Sequence, residues 1–263
     1  MFGFGVCIGT ESKYVEWAAK GIAQVREPDT KVFEVRNQQS IFAAYNRLLD
    51  MAAAEPALEG LVLIHEDVLI RDDGCLPTLR RHFSDEMVGL VGVYGCQQPR
   101  RLSWHTEART FGYVEEPRFL IAKSTEPVQV DVLDGLFLAL SAGAVRSLRF
   151  DEARYSGWHG YDADICLQAR SAGLKVLTDQ IDVYHATKGS YGNRTAFLRT
   201  DLRWRTKWRG SPFLSPSSRT WDTAPGVRQV ADFLAPATAV MSKMRHKAGA
   251  WRADRGSRGG REQ

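Results

Sequence analysis

Little in this 263-residue chain points to a membrane span, a disulfide scaffold or a zinc module. No apolar run approaches the ~20 residues that a membrane helix needs. The four cysteines, Cys7, Cys75, Cys96 and Cys166, are scattered, without a Cys-x-x-Cys pair. That argues against structural zinc and disulfides and for a reducing, cytoplasmic setting. The opening MFGFGVCIGT has no basic residue ahead of its apolar ones, so no signal peptide is expected. The first loop, Ile8-Gly9-Thr10-Glu11-Ser12, lacks the glycine-rich, Arg- or Lys-bearing character expected of a nucleotidyltransferase. No internal repeat is visible.

Apolar residues make up 44% and charged residues 25%, close to globular averages, so a substantial core is available. The net charge of +4 is unevenly spread. Residues 211–263 carry nine Lys or Arg against four Asp or Glu, which leaves 1–210 slightly acidic. The expected organisation is a domain over 1–210 and a basic extension over 211–263, partly helical or disordered. Within the extension, 211–220 reads as a linker, 227–247 as a weak amphipathic helix and the final GSRGGREQ as disorder.

Along 1–210, strands are predicted at about 4–9, 31–35 and 61–64. Between them lie a helix carrying Tyr14, Ala18, Ile22 and Val25 and another carrying Ile41, Ala44, Tyr45, Leu48 and Ala52, the second N-capped by Ser40. This β-α-β-α-β order predicts a parallel sheet with right-handed crossovers. A helix follows near 75–83 and a buried strand at 87–95. Residues 96–127 show no sustained period and read as a long functional loop. Strands at 128–132 and 135–141 flank the turn Asp134-Gly135, a helix spans 162–172, and short strands precede His185.

Three places can carry chemistry. LVLIHEDV at 61–68 is an apolar strand that ends in His65, Glu66 and Asp67. Ligands of open α/β sheets gather at such carboxyl ends, and a Glu-Asp pair can hold a hard divalent cation that neutralises a diphosphate; a solvated strand end explains the same residues equally well. GWHGYDADICLQARSAG at 157–173 opens a helix with Asp162 and Asp164, which commonly serve as helix caps. Their two-residue spacing lets one face a cavity while the other caps. Trp158 and His159 before them offer faces on which a sugar can stack. DVYHATKGS at 182–190 places His185 at a strand end, as a neutral imidazole able to bind a metal; a lone histidine is more often structural.

The ordered set resembles the inverting family 2 glycosyltransferases, and within them the short bacterial glycosyltransferase-like subgroup. The matching residues are LIHEDV at 63–68, Tyr161-Asp162-Ala163-Asp164-Ile165 with Arg170 beyond, Asp134-Gly135-Leu136-Phe137, Tyr45-Asn46, and His185 followed by Gly189 and Ser190. His65 stands where relatives carry a first acid, and Tyr161 where they carry Glu. The resemblance covers about 1–205. It implies an α/β GT-A fold, a Rossmann-like, mostly parallel mixed sheet flanked by helices. It also implies metal-dependent inverting transfer of a hexosyl or deoxyhexosyl group from a nucleotide-diphosphate sugar to a hydroxyl of a glycan or lipid-linked acceptor, in bacterial surface polysaccharide or glycoconjugate synthesis. Asp162 is implied as the catalytic base, and Asp67 with His185 as ligands of Mn²⁺ or Mg²⁺. Thr10, Asn37, Asn46, His65, Glu66 and Asp67 are assigned to the nucleotide, and Asp134, Gly135, Trp158 and His159 to the acceptor.

The rival reading is a non-catalytic nucleotide-sugar or glycan-binding module on the same fold. The basic, aromatic stretch 194–209 and the tail read first as a solvated helix with a disordered end. Peripheral docking at an anionic inner membrane face comes second, and nucleic-acid binding last, because no recognised module accompanies the charge.

Overall fold

The computed structural model describes residues 1–117, 119–122 (backbone only), 124, 126–187 and 193–216. The chain divides into a compact unit, Met1–Ser218, and a second, Arg219–Gln263. The second unit, with the helix expected over 227–247 and the terminal GSRGGREQ, lies outside the described residues.

The first strand, β1 (Phe2–Ile8), leads through α1 (Glu11–Glu16) and α2 (Ala18–Val25) to β2 (Lys31–Arg36). One helix was expected where two occur; the break falls at Trp17, whose ring tilts against Tyr184 at 5.4 Å. Next come α3 (Ile41–Ala53), β3 (Gly60–His65), β4 (Val68–Ile70), α4 (Cys75–Phe83), β5 (Val88–Gly92) and β6 (Tyr94–Cys96). The predicted face of α3 is the buried one. Ser40 precedes α3 without capping it through its side chain; its hydroxyl donates to Gly157 O at 3.4 Å.

The segment read as a loop over 96–127 instead holds a 3-10 turn at Trp104–Thr106 and two paired strands, β7 (Thr110–Glu116) and β8 (Phe119–Ala122). In β7 the buried positions are Thr110, Gly112 and Val114, whereas Phe111 and Tyr113 are half-exposed. The period of two exists, but with the small residues inward, which hides it from hydropathy. Gly112 has φ of +115°, and a β-carbon there would collide with the backbone of Val93, so only glycine fits this bend.

The remaining elements are β9 (Val128–Val130), β10 (Val132–Leu133), β11 (Phe137–Ser141), α5 (Ala142–Ser147), α6 (Tyr161–Ser171), β12 (Lys175–Thr178), β13 (Val183–His185) and α7 (Arg194–Lys207). The main sheet has seven strands in the order β2-β1-β3-β11-β5-β12-β9. The pairs β1–β2, β1–β3 and β5–β12 are parallel, and β11 enters antiparallel between β3 and β5. A second sheet, β10-β6-β7-β13-β4 with β8 on β7, stands against its carboxyl edge. The core is carried by Phe2, Phe4, Val6, Leu61, Val62, Leu63 and Ile64 of the central strands, all fully buried. Each such side chain contributes about 1.5–3 kcal/mol of burial.

α7 is not the solvated helix expected from its charge. Trp204 is wholly buried, Asp201 and Arg205 nearly so, and Lys207 donates to Asp151 and Asp164 at 2.8 Å each. The chain stays packed beyond Gly210: Leu214 is buried and Ser215 N–H donates to Pro99 O at 3.3 Å. Its polar composition reads as a linker, yet two apolar residues hold it: Leu214 in the core and Phe213 under the Arg170 guanidinium at 4.7 Å. Among the described residues no helix is long and apolar enough to cross a membrane.

Candidate active site

The strand pairings assemble the site. The parallel registers Cys7↔His65 and Ile8↔Arg36 bring the ends of β1 and β2 beside the end of β3, so Thr10 and Asn37 sit on the same sheet edge as His65-Glu66-Asp67. Antiparallel β11 meets β3 with Phe137 opposite Ile64, and His65 N–H donates to Leu136 O at 3.1 Å. The Asp134-Gly135 turn therefore stands over that edge. Antiparallel β13 meets β4 with His185 opposite Val68, and Ala186 N–H donates to Asp67 O at 2.8 Å. Residues more than a hundred positions apart thus reach one cavity of about 510 Å³, lined by His65, Asp67, Asp134, Trp158, His159, Asp162 and His185, together with Tyr94, His105, Glu116 and Phe197.

His65, Asp67 and His185 offer one ligand atom each within 4.8 Å of one another. His185 Nε2 lies 3.5 Å from Asp67 Oδ1, and its Nδ1 lies 3.2 Å from Glu116 Oε1. Burial opposes the charged imidazolium of His185, but the hydrogen bonds to Asp67 and Glu116 outweigh it and lift the group to about 9. Burial likewise works against the Asp67 carboxylate; His185 overcomes it and holds Asp67 at about 2. Burial, reinforced by the nearby charge of His185, pushes His65 down. These donors suit a cation: a carboxylate and two imidazoles, one of them oriented through its second nitrogen by Glu116, match the way metal-bound histidines are held.

Asp162 opens α6. One carboxylate oxygen accepts from Gly135 N–H at 3.1 Å and the other from Ala163 N–H at 2.8 Å. Burial, then the neighbouring charge of Asp134, pushes Asp162 up to about 6. Asp134 goes the other way. Burial disfavours its charge, yet His105 Nε2 at 2.8 Å and Leu136 N–H at 3.0 Å hold it well below the usual carboxylate range. Gly135 is required by proximity, because a β-carbon there would collide with the phenol of Tyr161. That phenol lies 2.5 Å from His65 Nε2, so Tyr161 links the opening of α6 to the end of β3. Trp158, half exposed, and His159, edge-on to Phe197 at 5.3 Å, form an open wall of the cavity.

Other predicted residues are placed differently. Asn46 is buried away from the cavity, where its amide donates to Phe150 O at 2.9 Å and accepts Phe150 N–H at 2.9 Å. Its second amide hydrogen goes to Glu152 Oε1 at 3.1 Å, so the side chain holds the backbone after α5. Glu66 accepts Gly9 N–H and Thr10 N–H, both at 2.7 Å, so it fixes the first loop. Thr10 and Asn37 are exposed at the sheet edge, and Asn37 adopts a positive φ of 56°. Of the acids opening α6, Asp162 faces the cavity and Asp164 is structural: it is 1% exposed and bonded by Lys207, Trp208 Nε1 and Gln168, each at 2.8 Å. Gly189 and Ser190 lie outside the described residues. His105 and Glu116 are cavity residues that sequence reasoning missed, because both come from the segment taken for a loop. The signal available was Trp104-His105 beside an alternating run that ends in two acids.

Comparison with known proteins agrees with this architecture. The profile of a family described as "Glycosyltransferase like family" matches residues 4–191. "Streptomycin biosynthesis protein StrF" of Streptomyces griseus is 31% identical over 222 residues, covering 83% of this chain and 78% of its own length. The solved structure of GalNAc-T7 with UDP, GalNAc and Mn²⁺ superposes with a TM-score of 0.54 at 12% identity, over 80% of this chain and 48% of that one. The fold is therefore GT-A, and the chain belongs to the Glycosyltransferase like family as a glycosyltransferase.

Proposed function

We propose that the protein transfers a sugar from a nucleotide-diphosphate donor to an acceptor hydroxyl, with inversion and with the help of a divalent cation. One observation carries this reading: a single cavity is lined both by a His65-Asp67-His185 donor set and by the separate, proton-avid carboxylate of Asp162. The acceptor oxygen attacks the anomeric carbon while the bond to the donor diphosphate breaks on the opposite face. Asp162 takes the acceptor's proton, a step worth about 10²–10⁴-fold in rate. Asp67, His185 and His65 would hold the cation, which would supply charge neutralisation for the departing diphosphate. Imidazole donors favour Mn²⁺ over Mg²⁺, whose preferred shell is oxygen, and the solved relative carries UDP and Mn²⁺. The nucleoside end is assigned to the strand edge at Thr10 and Asn37, and the acceptor to the wall of Trp158, His159 and the Asp134-Gly135 turn.

The acceptor is a glycan or lipid-linked sugar of a bacterial glycoconjugate. The relative named for streptomycin biosynthesis favours a second reading, a small-molecule hydroxyl. Catalysis is assigned to the compact unit Met1–Ser218, which runs past the boundary at 210 expected from the sequence, with the remainder as a basic extension. A thermal-shift panel of nucleoside diphosphates with Mn²⁺, Mg²⁺ or chelator tests the donor side. Stabilisation by one diphosphate that requires the cation and is lost in Asp67→Ala is expected. Equal response with chelator would overturn the metal's part.

A further inference from the structure

The cavity contains a histidine that the proposed reaction does not yet use. His105 sits on the 3-10 turn before β7, with its ring stacked on Trp104 at 4.1 Å and 12° and its carbonyl accepting the Tyr94 hydroxyl at 2.8 Å. Its Nε2 meets Asp134 Oδ2 at 2.8 Å. The other oxygen of Asp134 accepts Leu136 N–H at 3.0 Å, which closes the Asp134-Gly135 turn. Gly135 N–H in turn donates to Asp162 at 3.1 Å. A continuous chain therefore runs from His105 through Asp134 and Gly135 to Asp162.

We propose that His105 is a positioning residue which, through its pairing with Asp134, fixes the Gly135 N–H on Asp162 and keeps that carboxylate ready to accept a proton. The inference rests on the reading of Asp162 as the base, but its physical content, control of the charge of Asp162 by His105, stands apart from turnover. Asp134 and Asp162 are neighbouring carboxylates of one cavity wall, and each makes the charge of the other costly. A cation on the far side of Asp134 offsets one of them, as seen in the opposed displacements of the two acids. His105 itself gains its proton through Asp134, against the cost of burial. The other ionisable groups facing this cluster are His65 at the end of β3, Tyr45 on α3, Glu116 on β7, His185 at the end of β13, and the Tyr161 phenol and Cys166 thiol on α6.

The test uses no substrate. The stability of each protein is compared with that of its own Asp162→Asn counterpart across pH 3.5–8 by denaturant unfolding. In the natural background the difference should change with pH as Asp162 ionises, with its midpoint near pH 6, and level off above that. In His105→Gln, which can still donate to Asp134, the upper end of that window should move up by about one pH unit. In Asp134→Asn it should move down. Opposite displacements mark charge control; a merely structural role would lower stability in both backgrounds without moving the window. An unmoved or downward-moving window in His105→Gln overturns the proposal whatever Asp134→Asn does, and His105→Asn is read in the same way should His105→Gln not fold. Retained transfer by Asp162→Asn would instead sink the base assignment, while the pH displacements could still be read.

Discussion

The two acids that open α6 should behave in opposite ways, and Asp164 gives the sharper test. Its side chain is 1% exposed and receives Lys207 Nζ, Trp208 Nε1 and Gln168 Nε2, each at 2.8 Å. Lys207, only 18% exposed, keeps Asp151 as a second partner at 2.8 Å. Asp164→Ala removes the anion that joins α6 to the end of α7 and leaves a nearly buried ammonium and an indole N–H with fewer acceptors. Breaking a buried pair by deleting one partner costs about 3–5 kcal/mol. For a domain of this size that is a fall in Tm of roughly 6–20 °C. Differential scanning calorimetry reads it directly. Replacing both members, Asp164→Leu with Lys207→Met, should recover only part of the loss, because the Trp208 indole and Gln168 still lose their acceptor and Asp151 its cation. A single variant melting within about 2 °C of the natural protein would refute the reasoning.

Asp162→Asn should lower turnover by about 10²–10⁴-fold while leaving nucleotide-dependent stabilisation in place; near-normal turnover would remove Asp162 from the chemistry. Because Asp162 is raised in the folded state to about 6, its contribution to stability is complete below the unfolded value near 4 and is lost as pH rises through 6. The Asn variant should accordingly gain on the natural protein across that window, by at most about 3 kcal/mol, and a difference independent of pH in urea melts would contradict this. For the same reason the acid limb of the rate profile should fall near pH 6, since the base must be ionised to act. Gly135→Ala forces a β-carbon into the Tyr161 phenol, so about 1–3 kcal/mol of stability should be lost in thermal melts, together with activity; an unchanged melting point would show that the turn yields. Glu116→Ala should weaken Mn²⁺ binding by about 10–100-fold in calorimetric titration, and unaltered affinity would mean that His185 is oriented without it.

Much of this architecture is legible in the chain because periodicity and burial agree. The strand runs 61–64 and 135–141 and the α3 face announce themselves as apolar stripes, and their buried states follow. The convergence of Asp67, Asp162 and His185 was legible only as an ordered set, since no local rule brings β3, α6 and β13 to one cavity. Where the reading failed, local chemistry had a tertiary competitor. Asn46 looked like a ligand-binding amide until the chain after α5 took up its hydrogen bonds. The charges of α7 suggested solvent because composition does not reveal that Asp164 and Asp151 wait for Lys207. β7 was invisible because its inward residues are Thr110, Gly112 and Val114, so a strand that supplies Glu116 carried no apolar stripe.

The ion pairing around the cavity supports Asp162 as the proposed proton acceptor. Four carboxylates line it: Asp67, Glu116, Asp134 and Asp162. His185 reaches both Asp67 and Glu116, and His105 reaches Asp134. Among the described residues no Lys, Arg or His comes within salt-bridge distance of Asp162, which instead accepts two backbone N–H groups. Two neutral donors stabilise an anion less than an imidazolium does, and the neighbouring Asp134 charge works against it. A carboxylate held strongly anionic is a poor base, because the stabilisation that keeps it charged must be given up when it takes a proton. Asp67 and Asp134 are in that position; Asp162 is not. The same pairing gives the proposal its division of work: the acid matched with His105 organises the turn, and the one left beside it retains the proton affinity that the proposed transfer requires.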